Sequence, residues 1–445
     1  MKSIYLSVPL IRSNAASLFV CIIFAFNSQI ADAAVTAEIV SVKKIWNAGR
    51  HNAFTDLIRF ENRWYCSFRE ADDHVAGDGQ LRVLTSIDGE TWVSAALLGE
   101  PGIDLRDPKL SITADGRLMI VAGGSVYNGG KVLLGRQPRV AFSKDGKSWS
   151  PTQRVLNEGD WLWRVTWHNG KCYGIAYDAS KRTTTAAQEA AKSDQPVESG
   201  AAEWKLKLLS SDDGVNFELI TYLDVPGHPN ETTIRFLSDD TMVALIRREG
   251  GDKNGWIGSS RAPYKEWKYS ATKHRLGGPN FIVLPDGQML AGSRVYPDGP
   301  KTMLSRMNTT DYQPILDFPS GGDNSYPGFV WHDGLLWMSY YSSHEGKTSI
   351  YLAKVRLKEK AQAPIAIPPP KPNIVFIMAD DLGWADVAFH GGTSSTPNLD
   401  RLAREGLELA QHYVAPVCSP TRTGLMTGRC WSRFGVTSPQ NNVAL

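Results

Sequence analysis

Two sets of residues in this chain have the types and spacing that chemistry requires. The first is Cys418, Ser419, Pro420, Thr421 and Arg422, which run into TGLMTGR, a stretch that predicts a helix beginning around residues 420–423. The unpaired N–H groups and positive end of such a helix favour an anionic ester, and they favour a lowered thiol pKa at Cys418. Upstream, Asp380 and Asp381 follow the apolar run NIVFIM at 373–378. Paired carboxylates at the point where a buried strand enters a loop suit a hard metal ion. The second set is scattered: Asp56 and Arg59, Arg106 and Asp107, Arg164, Glu231 and Arg235, Asn280, and Tyr326, with Arg69, Arg247, Arg248 and Arg294 close by. Guanidinium groups held together bind a carboxylate or sulfate by bidentate hydrogen bonds. Tyr326 beside a carboxylate such as Glu231 has the makings of a nucleophile toward a sugar, with Asp107 or Asp73 as proton donor to the leaving oxygen.

The scattered residues share a position in a repeat. Between residues 52 and 355 six segments resemble one another: DLIRFENRWYCSFRE, DPKLSITADGRLMIVAGG, RVTWHNGKCYGIAYD, ETTIRFLSDDTMVALIRRE, PNFIVLPDGQMLAGSR and YPGFVWHDGLLWMSYYSS. Each reads as a strand, a tight turn rich in Asn, Asp and Gly, and a second strand. Starts about 50 residues apart leave room for a four-stranded antiparallel sheet per copy. Six sheets around an axis make an all-β six-bladed propeller, and the polar residues opening each copy then meet at one end of that axis. A two-sheet sandwich would not require so regular a recurrence. Three further segments, SIDGETW at 86–92, SKDGKSW at 143–149 and SDDGVNF at 211–217, share Ser-x-Asp-Gly-x-x-aromatic. There the Asp bonds its own turn, Gly takes the left-handed position and the aromatic packs beneath.

These hairpins resemble the aspartate boxes of the sialidase-like (BNR-repeat) propellers, over about residues 40–357. The resemblance implies a glycosidase site with an arginine triad, a tyrosine paired with a glutamate, and an acidic aspartate. Carried onto this chain, the triad falls on Arg69 or Arg59, Arg248 or Arg235, and Arg294, with Glu231 supporting Tyr326 and Asp107 as the acid. Arg106 and Arg164 join the candidate substrate-binding residues. The Phe/Tyr-Arg-Ile-Pro segment of that family has its nearest counterpart in Ser67-Phe68-Arg69-Glu70, with Glu in place of Ile. Trp161, Trp163, Trp167, Tyr340 and Tyr341 are candidates for stacking on sugar rings. His51, His74, His228, His332 and His344 show no metal-ligand spacing, and the propeller is expected to need no cofactor.

After Lys354 the chain becomes VRLKEKAQAPIAIPPPKPN, a proline-rich spacer. Beyond it, NIVFIM predicts a buried strand, and Pro397 opens a helix that ends at Gly406. Cys418-Ser419-Pro420-Thr421-Arg422, continued by TGLMTGR, resembles the signature of type I sulfatases, over about residues 371–440. That resemblance implies an α/β alkaline-phosphatase-like fold and hydrolysis of sulfate esters. It implies formylglycine made from Cys418 by a formylglycine-generating enzyme, Arg422 as its stabilising partner, and calcium held by Asp380 and Asp381. The span is a small part of such a module, so an incomplete α/β segment, inactive by itself and holding calcium weakly, is expected at 372–445.

Lys2 and Arg12, the apolar run at 17–26, and Ala31-Asp32-Ala33 have the order of a secretory signal peptide over 1–33. A secreted or periplasmic protein without a stable membrane span follows from it. The mature portion keeps only Cys66, Cys172, Cys418 and Cys430, too few for a disulfide framework. With 48 Lys plus Arg against 46 Asp plus Glu, a net charge of +2 and no long basic run, nucleic acid is excluded as a partner. The resulting expectation is an exported hydrolase acting on acidic or sulfated glycans, with a propeller at 40–357, a linker at 358–371 and the sulfatase-like segment after it. The residues leave two alternatives open: a propeller that binds carbohydrate without chemistry, and a longer two-module sulfatase of which this chain is a part.

Overall fold

A computed structural model of the chain describes residues 35–75, 77, 79–128, 132–178, 204–296, 298–359, 376–409 and 412–439. They fall into two compact units, one within 32–363 and one within 364–445. The leader-like N-terminus and most of the spacer lie outside the described residues.

The larger unit is six antiparallel four-stranded sheets. Their first strands are β2 (His51–Phe60), β6 (Asp104–Ile112), β10 (Asp160–His168), β14 (Pro229–Phe236), β18 (Gly277–Val283) and β22 (Asn324–His332). Each of the six repeated segments supplies the first two strands of one sheet. The turns between them adopt left-handed backbone where Asn, Asp and Gly stand, for example Asn62 (φ 59°), Asn169 (φ 48°) and Asp333 (φ 50°).

Six apolar clusters lie between consecutive sheets and close a ring. Leu81 and Leu105 meet between the first and second sheets, Met119 and Leu162 between the second and third, and Ile175 and Ile234 between the third and fourth. Leu245 and Phe281, then Leu304 and Met338, then Trp64 and Trp337, complete the circuit. Sheet faces packed in sequence around a circle are blades, so the architecture is a six-bladed propeller. Its closure is a non-local pairing: β1 (Val35–Trp46) runs antiparallel to β24 (Ser349–Glu359) and becomes the outer strand of the last blade. The propeller strands therefore extend from Val35 to Glu359, a little beyond the 40–357 expected from the repeat.

All three aspartate boxes form. Asp88 accepts from the backbone N–H groups of Glu90 and Thr91 at 2.8 and 3.0 Å, and the Trp92 indole donates to Gly89 O at 3.1 Å. Asp145 and Asp213 repeat the pattern. The second box also ties two blades together, because Tyr65 of the first blade donates to Asp145 O at 3.0 Å. Gly146 takes φ 70° there, and a Cβ would sit 2.1 Å from the Tyr65 ring.

The smaller unit contains helices at Pro397–Glu405 and Cys418–Thr427, with two short 3-10 turns before the first and one after the second. Pro397 opens the first helix as expected. The second starts at Cys418, two to five residues earlier than its composition predicts, because Pro420 is tolerated in a first turn whose N–H groups have no helical partner. Of the buried strand expected over 373–378 only residues 376–378 are described, and there the expected burial fails: Phe376 is 55% and Ile377 60% exposed, with a single bridge at Ile377. Leu402, Leu407, Tyr413 and Met426 are exposed too, and among the described residues the only buried apolar side chains of this unit are Val387, Ala415, Pro420 and Val436. Strand pairing and helix burial need neighbouring layers, and the described part of this unit supplies none.

Candidate functional site

Every first strand of a blade carries a register shift at the same place. The shifts fall between Ala53 and Asp56, Arg106 and Lys109, Leu162 and Val165, Pro229 and Thr232, Gly277 and Asn280, and Ser325 and Gly328. A bulge puts two residues opposite one and re-aims their side chains. The bulged residues include Phe54, Asp107, Trp163, Glu231, Gly278 and Tyr326, one from each blade. Phe54 (φ 67°), Asp107 (φ 52°), Gly278 (φ 59°) and Tyr326 (φ 54°) are left-handed. Strained backbone at four of six bulges, in residues that are mostly not glycine, marks the place where the fold gathers unusual side chains.

At its centre Tyr326 donates its phenol proton to Glu231 Oε1 at 2.6 Å. Glu231 Oε2 accepts from Arg247 Nη1 at 2.6 Å and from the Gly278 amide at 2.9 Å. Arg247 also reaches Tyr326 Oη at 3.3 Å and pairs with Glu249. Gly278 is required twice over: its φ is positive, and a Cβ would lie 2.4 Å from the Tyr326 ring. The ring packs against Phe54, Trp163 and Tyr341, with Arg294 and Lys109 over it at 5.9 and 5.6 Å. Arg294 in turn contacts Asp323 at 3.3 Å and Tyr341 Oη at 3.0 Å.

Burial, and then the Glu231 charge, push the Tyr326 phenol well above its ordinary pKa, so it carries its proton at rest. Burial opposes charge on Arg247, but Glu231 and Glu249 outweigh it and keep the guanidinium charged. Burial also raises the Asp107 carboxyl, against the pull of Arg106 and Lys109. Lys109 is lowered to about 8 by burial and by Arg164. The Tyr326 phenol thus keeps its proton and directs it at Glu231, while burial biases the Asp107 carboxyl toward its acid form.

The structure brings Tyr326, Glu231, Asp107, Arg106 and Arg294 into this neighbourhood. Arg106 lies over the Phe54 ring at 5.3 Å and bonds Tyr127 Oη at 3.1 Å. Five of the other six arginines named from the sequence are held elsewhere. Arg69 is fully buried and bonds Asp104 through two nitrogens at 2.8 and 3.1 Å. Arg164 pairs with Asp56 at 2.7 Å, both buried. Arg235 donates to Thr166, Ile234 O and Asn280. Arg248 is taken by Pro226 O, Asp252 and Asn254 O. Arg59 lies over the Trp64 ring at 4.8 Å, near the far end of its strand.

Arg247, grouped with these arginines in the sequence but passed over for the triad in favour of Arg248 or Arg235, stands at the axis, as does Lys109, which the sequence did not single out. Neighbours on a strand face opposite sides, so of the pair Arg247-Arg248 only one meets Glu231, and the bulge between Pro229 and Thr232 decides which. Of the candidate stacking aromatics, Trp161, Trp163, Tyr340 and Tyr341 are at most 5% exposed and belong to the core. His51 and His74, distant in sequence, both meet Asp323.

In the smaller unit Cys418 is the first residue of its helix and half-buried. Arg422 Nη2 lies 3.3 Å from Asp380 Oδ1, and both face a cavity of about 620 Å³ with Cys418 and Asp381. Among the described residues no further His, Cys, Asp or Glu completes a three-ligand group with Asp380 and Asp381.

Residues 372–444 match the family model described as Sulfatase. Over 73 residues the chain is 53% identical to arylsulfatase H of Canis lupus familiaris, covering 16% of this chain and 13% of that protein. Over 78 residues it is 49% identical to steryl-sulfatase of Mus musculus, covering 17% and 12%. The chain thus spans about an eighth of the length of these curated relatives.

The propeller resembles a protein of unknown function from Dyadobacter fermentans, with TM-score 0.61 and 19% identity over 73% of this chain and 100% of that one. It also resembles an α-L-arabinofuranosidase from Fusarium graminearum, with TM-score 0.55 and 12% identity over 72% and 98%. A third likeness is to Trypanosoma rangeli sialidase, with TM-score 0.53 and 12% identity over 69% and 55%. At these identities the likeness is one of fold. The chain combines a sialidase/arabinanase-type six-bladed propeller with a sulfatase-type segment.

Proposed function

We propose that the propeller is a retaining glycoside hydrolase acting on glycans, with Tyr326 as nucleophile. The observation that carries this reading is the 2.6 Å hydrogen bond from Tyr326 Oη to a Glu231 whose two oxygens are both engaged. In the first step Tyr326 Oη attacks the anomeric carbon while its proton passes to Glu231 Oε1. Asp107 protonates the departing glycosidic oxygen, leaving a glycosyl–tyrosine ether-type intermediate. Water then attacks the anomeric carbon, giving its proton to Asp107, and Glu231 returns its proton to Tyr326. Arg247 steadies Glu231, and Arg294 and Lys109 favour negative charge developing on the phenol oxygen.

Glycosidases of this architecture act on sialosides and arabinofuranosides, which sets the substrates to try first; acidic or sulfated glycans suit the neighbouring arginines. Tyr326→Phe is expected to lower kcat by about 10²–10⁴-fold, the range for losing a group that acts in the transition state. Equal turnover by both proteins would remove Tyr326 from the mechanism and favour a binding propeller.

For residues 372–444 we propose the part of a sulfatase module that carries the nucleophile precursor. The family match, Cys418 at a helix start and Arg422 beside Asp380 support it. Formylglycine made from Cys418 would supply the nucleophile toward sulfur, and Arg422 would hold it. Export is part of the proposal and rests on the leader-type sequence. N-terminal sequencing of the secreted protein is expected to begin at Ala34; a mature chain starting at Met1 would contradict it.

A further inference from the structure

We propose that His51, His74 and Asp323 form a site for one divalent transition-metal ion, on the side of the axis bordered by Phe54 and Arg294. The three come from separate parts of the chain: the start of β2, the segment after β3 (Arg63–Ala71), and the residue before β22. Their ligand atoms nevertheless lie within 4.8 Å of one another. His51 Nε2 is 3.1 Å and His74 Nδ1 2.8 Å from the same oxygen, Asp323 Oδ2. Ligand atoms bonded to one zinc ion stand roughly 3–3.5 Å apart, so small rotations of these side chains close the set around an ion.

The donor set decides the kind of ion. Two imidazoles and one carboxylate are the borderline donors that take Zn²⁺, Mn²⁺ or Fe²⁺; calcium and magnesium prefer oxygen alone. Three protein ligands leave coordination positions open, as a site that receives a substrate oxygen requires.

The surroundings orient the ligands. Asp323 Oδ1 is held by Tyr341 Oη at 2.8 Å and by Arg294, which turns Oδ2 toward the histidines, and the Asp323 amide donates to Ser343 Oγ at 2.8 Å. Outer contacts of this kind fix ligand orientation in metal sites. His51 is 7% exposed, and its ring is clasped by Phe54 and His74 at 6.4 and 5.4 Å. The His74 side chain is 47% exposed and gives an ion a way in. Phe54 packs on both His74 and Tyr326, which places the ion beside the sugar-directed residues, where its open positions face substrate hydroxyl or anionic oxygens.

The test uses the full chain, free of any histidine tag and stripped with a chelator, titrated calorimetrically with ZnCl₂ and with MnCl₂. The wild-type protein is expected to take up one more equivalent of at least one ion than His74→Ala. Asp323→Asn is expected to bind that equivalent at least tenfold more weakly, and His332→Ala, remote from the cluster, to keep it. His74→Ala removes a half-exposed ring, and an unchanged Tm confirms that its fold is intact. Identical uptake by wild type and His74→Ala, including no uptake by either, would overturn the site and leave a plain His–Asp–His hydrogen-bond network. The readout involves no turnover, so it stands or falls separately from the glycosidase reading.

Discussion

Glu231 has one oxygen on the Tyr326 phenol and the other on Arg247 and Gly278, the arrangement from which the proposed mechanism takes it as the base for its neighbour. Asp107 is in a different condition. Burial raises its pKa, and a proton donor must hold its proton, so activity is expected to fall as pH rises through that raised value. Asp107→Asn should abolish this alkaline limb and cost about 10²–10⁴-fold in kcat on ordinary glycosides. A substrate with a strongly acidic leaving phenol, which departs without protonation, should lose far less. Equal losses on both substrates would show that Asp107 is not the acid. Arg69 illustrates the opposite fate of a charged residue. It and Asp104 are both fully buried, so Arg69→Met leaves the Asp104 carboxylate with only the longer 3.7 Å contact to Arg106, and urea unfolding should show a loss toward the lower end of about 3–5 kcal/mol. Removing the charge on both sides with Arg69→Met/Asp104→Leu should recover much of it.

The aspartate boxes are hairpin-scale devices that hold blades in place. Asp88 and Asp145 are held at about 2, below the ordinary 3.8, foremost by the backbone N–H groups of Thr91 and Ser148 that they accept. A carboxyl depressed in the folded state adds stability that is complete above its unfolded value near 3.8 and is lost as pH falls through about 2. Asp88→Asn/Asp145→Asn is therefore expected to flatten the fall in Tm between pH 4 and pH 2. An unchanged slope would mean that the boxes play no part in acid unfolding. These elements were legible in the sequence because their chemistry is local: Ser, Asp, Gly and an aromatic within seven residues specify one turn. The same holds for the six hairpins and for the Pro397 helix. The bulges were not legible. A bulge depends on two strands being brought into register, and it decides whether Arg247 or Arg248 meets Glu231. The histidine cluster was hidden for the same reason, since His51 and Asp323 are neighbours only through closure of the ring.

At the scale of the whole molecule, two compact units of unequal completeness share one chain. The propeller has a closed ring of apolar clusters and a site drawing a residue from every blade. Among the described residues of the other unit, apolar side chains such as Leu402 and Tyr413 remain exposed, and no third His, Cys, Asp or Glu side chain joins Asp380 and Asp381. This 445-residue chain, co-expressed with a formylglycine-generating enzyme, is accordingly expected to show no Cys418-dependent turnover of an aryl sulfate. Turnover abolished by Cys418→Ala would refute that. Here the sequence was most specific in its motif and least informative about what surrounds it. Cys418 to Arg422 can be read from five letters, whereas a buried strand at 373–378 depends on layers that the letters NIVFIM do not contain.

Turnover of glycans by the propeller through Tyr326 is tested by incubating the full chain with fluorinated, slowly hydrolysed donors of the sialoside and α-L-arabinofuranoside types, then digesting it and locating the label by mass spectrometry. One glycosyl group per chain is expected on Tyr326, absent from Tyr326→Phe. A label on Asp107 or Glu231, or turnover of the parent glycosides that survives in Tyr326→Phe, would contradict it.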